Sequence, residues 1–280
     1  MSNIEKGLKR ARAALHPVNA EAAPASTPTS DFGFVIAEPI LDFDKLEWIE
    51  PDFELLARNR IVMDERSTAS AGYKVLRTRV LQRMKRNGWK TLGVTGTCPG
   101  EGKSLTAINL AINLARNVAT SVVLVDLDLR SPALDRYFGI ETRYGVLDIL
   151  SGDAPLTRVA IRPGVERLAV VLNDHTVDNS SELLSTAQAA DLVEQCKRGE
   201  DRIAIFDLPP VFAGDDVLAF APLIDAVLLV FAEGLTTRRS LVALRELLQN
   251  INVIGSVLNR SSEDVAPYYY GDRSYNSERT

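Results

Sequence analysis

The 280-residue chain has little cysteine, no long apolar run and no surplus of positive charge. Its two cysteines, Cys98 and Cys196, are too few for a disulfide framework and are not spaced as metal ligands, so a reducing cytoplasm is the expected setting. No apolar stretch approaches the ~20 residues of a membrane span. The longest, Ala226 to Ala232, is strand length and follows Asp225 directly. Met1 to Leu15 is too charged for a secretory signal. A net charge of −5 excludes sequence-independent binding to nucleic acid, which needs a basic surface. His16 and His175 show no ligand spacing.

What the chain does have is 46% hydrophobic residues, 25% charged residues and a mean hydropathy near zero, enough for one full-sized core. Three compositional regimes follow one another. Met1 to Leu15 places Ile4, Leu8, Ala11 and Leu15 on one helical face beside Lys6, Lys9, Arg10 and Arg12, a short basic amphipathic helix. Val18 to Ser30 is rich in Ala, Ser, Thr and Pro and reads as a linker, so residues 1–30 form one unit. Residues 31–66 carry Phe34, Ile36, Phe43 and Trp48 without a period, an irregular extension expected to wrap onto the main domain.

From Ser67 to Arg260 the pattern is regular. Tyr73, Leu76, Val80 and Met84 share a helical face, and Asn87-Gly88 is a helix stop. Apolar strands are expected at Thr91–Thr95, Ser121–Val125, Leu168–Leu172, Ile203–Phe206, Ala226–Phe231 and Val253–Leu258. Helical stretches lie between them at Lys103–Arg116, Ala187–Lys197 and Thr236–Gln249. Apolar strands alternating with helices predict a doubly wound α/β fold, a mostly parallel sheet covered on both faces. Residues 261–280 are polar and hold Tyr268, Tyr269, Tyr270 and Tyr275, with Pro267 and Gly271 flanking three of them, so a mobile tail with accessible hydroxyls is expected.

The chemistry concentrates after the first of these strands, where Val94 to Ser104 reads VTGTCPGEGKS. A Gly-rich turn between a strand and a helix is the setting of a phosphate-binding loop. Its cradle would be Thr97, Cys98, Pro99, Gly100, Glu101, Gly102, Lys103, Ser104 and Leu105. Backbone amides and the helix dipole would hold phosphate oxygens, Lys103 would bridge the outer phosphates of ATP, and Ser104 would offer its hydroxyl to Mg²⁺. The first glycine of the usual G-x-x-x-x-G-K-[ST] pattern is replaced by Thr97, with Gly96 just before it. Asp126 and Asp128 end the second strand and Asp207 ends another, where an α/β sheet binds its ligand. Ser104, Asp128 and Asp207 are therefore the expected Mg²⁺ ligands, leaving Asp126 free to take a hydroxyl proton. Arg130 is suited either to phosphate or to a carboxylate. Cys98 is read as a small tolerated residue, and Trp89 as a strand-edge packing residue.

The loop TCPGEGKS, the segment LVDLDLRSP and the segment IFDLPPV resemble the Walker A, A′ and B motifs of bacterial tyrosine autokinases that regulate capsule and exopolysaccharide synthesis. The similarity runs on through Asn179–Leu184, Asp225–Thr237 and Val257–Arg260. The resemblance implies ATP and Mg²⁺ as cofactors, Lys103 on phosphate, Asp126 as the base, and the tail tyrosines as phosphoacceptors entering a neighbouring subunit's site. It also implies recruitment from the cytoplasm by the cytoplasmic tail of a membrane-embedded polysaccharide chain-length regulator. One departure stands out. The family's E-x-x-R-x-x-R pattern, used in ring assembly, corresponds here to Ala71, Lys74 and Arg77, so self-association lacks the acidic half of its ion pair. Two other readings share the motifs: a partitioning or septum-positioning ATPase, and a nucleotide-binding adaptor with decayed kinase activity. The first normally has a lysine where Cys98 stands.

Overall fold

In a computed structural model, residues 40–262 are described, save Glu65, Val118 and Asp174. The expected amphipathic helix, the linker and the tail tyrosines lie outside the described residues. Short apolar runs become strands β1 (Glu47–Ile49), β2 (Thr91–Gly96), β3 (Ser121–Asp126), β4 (Ile161–Pro163), β5 (Leu168–Val171), β6 (Arg202–Asp207), β7 (Ala226–Ala232) and β8 (Val253–Asn259). They form one sheet in the order β1-β4-β5-β3-β6-β2-β7-β8. Neighbours run parallel except β4 and β5.

Ten helices are described: α1 (Phe53–Arg58), α2 (Thr68–Asn87), α3 (Lys103–Ala115), α4 (Leu134–Phe138), α5 (Val146–Ser151), α6 (Leu156–Val159), α7 (Ser180–Leu184), α8 (Ala187–Lys197), α9 (Asp216–Phe220) and α10 (Arg238–Leu247). The period-2 alternation of each strand divides the core. Val122 and Leu124 of β3 pack with Val80, Met84 and α3 on one face, while Val123 and Val125 pack with Leu192, Val193 and Phe220 on the other. Every residue of β2 and β6 is buried, and the interior of β6, Ile203–Phe206, is accordingly apolar throughout.

Local signals set the ends. Gly88 closes α2 in the left-handed region at φ 69°. Ser67 opens it by accepting the Ser70 amide. Ala107, Ala111 and Ala115 let α3 lie flush against the sheet with almost no exposed surface. Asp225 accepts the amides of Lys90 and Thr91 and the Thr91 hydroxyl, pinning the start of β2 to that of β7.

Residues 40–66, which show no period, form a 3-10 turn at Phe43–Lys45, then β1 and α1. Edge and surface elements this short bury too few side chains to leave a pattern. They are attached by Leu41, Leu46, Leu56 and Ile61, which are buried in the core, and by hydrogen bonds: the Val62 amide donates to Asn109 Oδ1 at 2.7 Å, and Asn59 Nδ2 donates to the Tyr137 carbonyl at 2.8 Å. Among the described residues no helix is long and apolar enough to cross a membrane.

Candidate functional site

β2 delivers the chain to Gly96, and the loop Thr97–Gly102 turns it into α3, whose first residue is Lys103. Gly102 caps that helix at φ 89°, and a Cβ there would collide with the Asn259 side-chain amide. Glycine is needed at this position both for its backbone and for the close approach. Lys103 is 6% exposed, and Ser104 is half-buried beside it. Thr97 and Glu101 are buried, Cys98, Gly102 and Leu105 are half-buried, and Pro99 and Gly100 are exposed at the crown.

Glu101 does more than fill a place in the loop. Its carboxylate accepts the Thr97 amide and hydroxyl, each at 2.6 Å, and the Cys98 amide at 3.1 Å. It also accepts the Thr236 hydroxyl from the turn after β7, and the Glu101 carbonyl accepts Asn259 Nδ2 at 2.9 Å. Burial alone would raise its pKa, but the hydrogen bonds from Thr236 and Thr97 hold it below the usual carboxylate value. The loop is thereby braced from inside and tied to the ends of β7 and β8. The sequence gives no periodic sign of these braces, because Thr236 and Asn259 lie more than a hundred residues from the loop.

Beside the loop, Asp126 and Asp207 are register partners at the C-terminal ends of β3 and β6. Asp126 is fully buried and accepts three amides, from Asp128 at 3.2 Å, Ala133 at 2.9 Å and Leu134 at 3.0 Å. Burial pushes its pKa up to about 7, the Asp128 charge adds to the rise, and the three amides oppose it. Asp207 is equally buried, yet neither carboxylate oxygen has a formed hydrogen bond. Burial and then the Asp126 charge hold its pKa well above the usual value, against the nearby Ser104 hydroxyl and Lys103 ammonium. Asp128 is 8% exposed and accepts the Ser131 amide; burial raises its pKa too, opposed first by Lys103.

The expected nucleotide-site residues thus converge. Lys103 and Ser104 sit at one wall, and Asp126, Asp128 and Asp207 at the other. The two Asp207 carboxylate oxygens without a formed hydrogen bond and the nearby Ser104 hydroxyl are oxygen donors that fit a hard cation, and the nearby Lys103 ammonium fits the phosphate such a cation accompanies. Among the described residues no three His, Cys, Asp or Glu side chains form a metal centre. A P-loop cation needs fewer, because phosphate and water supply the rest. Arg130 is drawn to a carboxylate: its Nε meets Asp216 at 3.0 Å, with Asp216 1% exposed. Asp216 escaped sequence reading because it sits on the short helix α9. Trp89 packs half-buried against the α2–α3 face of the core, and His175 is exposed. Ala71 lies exposed on the first turns of α2, and Arg77 Nη1 donates to the Asn113 carbonyl at 3.4 Å.

Comparison with known proteins gives the family. Residues 92–268 match the CobQ/CobB/MinD/ParA nucleotide binding domain family. The chain is 29% identical to tyrosine-protein kinase YwqD of Bacillus subtilis, over 78% of this chain and 93% of that one. It is 32% identical to tyrosine-protein kinase CpsD of Streptococcus agalactiae, over 70% and 84%. Other relatives are far longer. The chain spans only 26% of the succinoglycan biosynthesis transport protein ExoP of Rhizobium meliloti, at 30% identity over 72% of its own length. Among solved structures, the kinase domain of Escherichia coli tyrosine kinase ETK superposes with a TM-score of 0.67 at 27% identity, covering 75% of this chain and 83% of that one. Built on a CobQ/CobB/MinD/ParA-type nucleotide-binding domain, the chain belongs to the bacterial tyrosine-protein kinases.

Proposed function

We propose that the chain is an ATP-dependent autokinase that transfers phosphate to its own C-terminal tyrosines, Tyr268, Tyr269, Tyr270 and Tyr275, and so regulates capsule or exopolysaccharide assembly. The observation that carries the nucleotide chemistry is the buried pair Asp126 and Asp207 opposite Lys103. The loop amides and Lys103 hold the phosphates in line. The tyrosine hydroxyl oxygen attacks the γ-phosphorus, the bond from that phosphorus to the bridging oxygen breaks, and ADP leaves. Asp126 accepts the hydroxyl proton, a role supported by a pKa of about 7 and by three amides that fix the carboxylate. Ser104, Asp128 and Asp207 would hold Mg²⁺, which when bound offsets charge on the phosphates.

The partner we propose is a membrane-embedded polysaccharide chain-length regulator whose cytoplasmic tail recruits the kinase to the inner membrane face. The succinoglycan transport named for ExoP supports that link. The substitutions at Ala71 and Lys74 weaken any ring closed through that part of α2, so self-association rests on other contacts. The test is incubation of the purified chain with ATP and Mg²⁺, followed by intact-mass analysis. Phosphate increments that require Lys103 support the reading, and an unchanged mass rejects it.

A further inference from the structure

Asp128 lies just past the end of β3 and Asp207 ends β6, so the two aspartates expected at Mg²⁺ belong to separate stretches of chain at the edge of the sheet. Both stretches are pinned where they leave their strands. The Leu127 amide donates to the Asp207 carbonyl at 2.9 Å. After Asp207, the Leu208 and Val211 amides donate to the Val94 and Gly96 carbonyls, and the Thr95 hydroxyl donates to the Pro209 carbonyl at 2.6 Å. Farther along both stretches Arg130 meets Asp216, the first residue of α9: its Nε donates to Asp216 Oδ2 at 3.0 Å.

This pair differs from an ordinary surface ion pair, which contributes little. Asp216 is 1% exposed and its other oxygen is enclosed without a hydrogen bond, so Arg130 is the formed partner of a buried carboxylate. Removing one member of such a pair leaves an uncompensated charge inside the fold. Gly214 is shaped to admit it. Its φ is not positive, so its backbone does not demand glycine, yet a Cβ there would meet Asp216 Oδ2 at 2.6 Å and Arg130 Nη2 at 3.1 Å. The missing side chain is what lets guanidinium and carboxylate meet.

Arg130 also serves Asp128 from its main chain. Its amide supports the Asp128 carboxylate, which accepts the Ser131 amide at 3.1 Å. The Asp216 charge is close enough to add to the rise that burial gives the Asp128 pKa. One residue thus holds Asp128 with its backbone and the loop after β6 with its side chain.

We propose that Arg130 and Asp216 are positioning residues of the transfer site, their pair fixing Asp128 relative to Asp207 and so setting how tightly Mg²⁺ is held with the nucleotide. This rests on the ATP and Mg²⁺ part of the autokinase reading and adds two residues to which that reading gives no role. Partners that orient a metal ligand typically change metal affinity by about tenfold or more when removed.

The test is calorimetry of ADP binding to the full chain, with Mg²⁺ and with EDTA, which reads the gain in affinity due to the metal without any turnover. Positioning and plain charge predict different signs. If only charge mattered, Arg130→Ala would strip a positive group and strengthen the Mg²⁺-dependent gain, while Asp216→Ala would weaken it. Positioning has both variants cut the gain about tenfold, with the double variant no worse than either single one. Affinity for ADP in EDTA is retained, since Lys103 and the loop amides are untouched. Asp216→Asn keeps an acceptor for Arg130 Nε and is expected to retain more of the gain than Asp216→Ala. Should an alanine variant fail to fold, Arg130→Gln decides by sign alone, a weaker gain supporting the proposal. Opposite signs for the two alanine variants, additive losses, equal loss in Asp216→Asn and Asp216→Ala, or an undiminished gain in the Arg130 variants overturns it. A parent chain whose ADP affinity ignores Mg²⁺ instead fails the cofactor assignment itself and takes the clamp with it.

Discussion

Asp126 and Asp207 stand as register partners across β3 and β6, both fully buried, one saturated with amide donors and the other with none. Their burial keeps both carboxyls protonated into a range where an unfolded chain has already released its protons. Between pH 4 and about 7 the folded state therefore holds more protons than the unfolded state, and stability falls as pH rises through that window. Thermal melts of nucleotide-free, metal-free protein are expected to lose stability toward pH 8. Asp207→Asn, which removes one buried charge, should raise Tm at pH 8 while abolishing turnover. A variant that melts lower than the parent at pH 8 would show that the charge is compensated in a way the carboxylate pair does not display.

Lys103 follows the loop directly and is held almost out of solvent at the start of α3. Removing a preorganised charge from such a site costs on the order of 10²–10³-fold in rate. Lys103→Met is expected to lower ATP turnover by that factor. Wild-type turnover at saturating ATP and Mg²⁺ would remove the loop from the chemistry.

Glu101 braces the loop through Thr97, Cys98 and Thr236. Glu101→Ala leaves buried donors unpaired, at about 1–3 kcal/mol for each. Nucleotide affinity and Tm should both fall, and Glu101→Gln should fall between the two because its amide offers a single acceptor oxygen. Isothermal titration with ATP distinguishes this from a spectator side chain, for which all three proteins would bind alike.

The central strands and the loop were legible in the sequence because burial on both faces forces continuous apolar runs, and because a phosphate cradle needs glycines at fixed spacing. The strand-end aspartates were legible for the same reason: each follows an apolar run. The brace from Glu101 to Thr236 and Asn259, and the pairing of Arg130 with Asp216, were not. They join distant segments through single side chains, which leave no period. β1, at the sheet edge, and β4, between β1 and β5, were missed because three-residue strands carry no alternation long enough to read.

The most direct test of the autokinase reading replaces Tyr268, Tyr269, Tyr270 and Tyr275 with phenylalanine and follows transfer from γ-labelled ATP. Each phosphate adds about −1.5 to −2 charges, so repulsion should also release a phosphorylated tail from a site already holding ATP phosphates. The expected result is loss of most autophosphorylation with ATP affinity unchanged. Label incorporated by the quadruple variant at the wild-type level would contradict it and move the acceptor elsewhere in the chain.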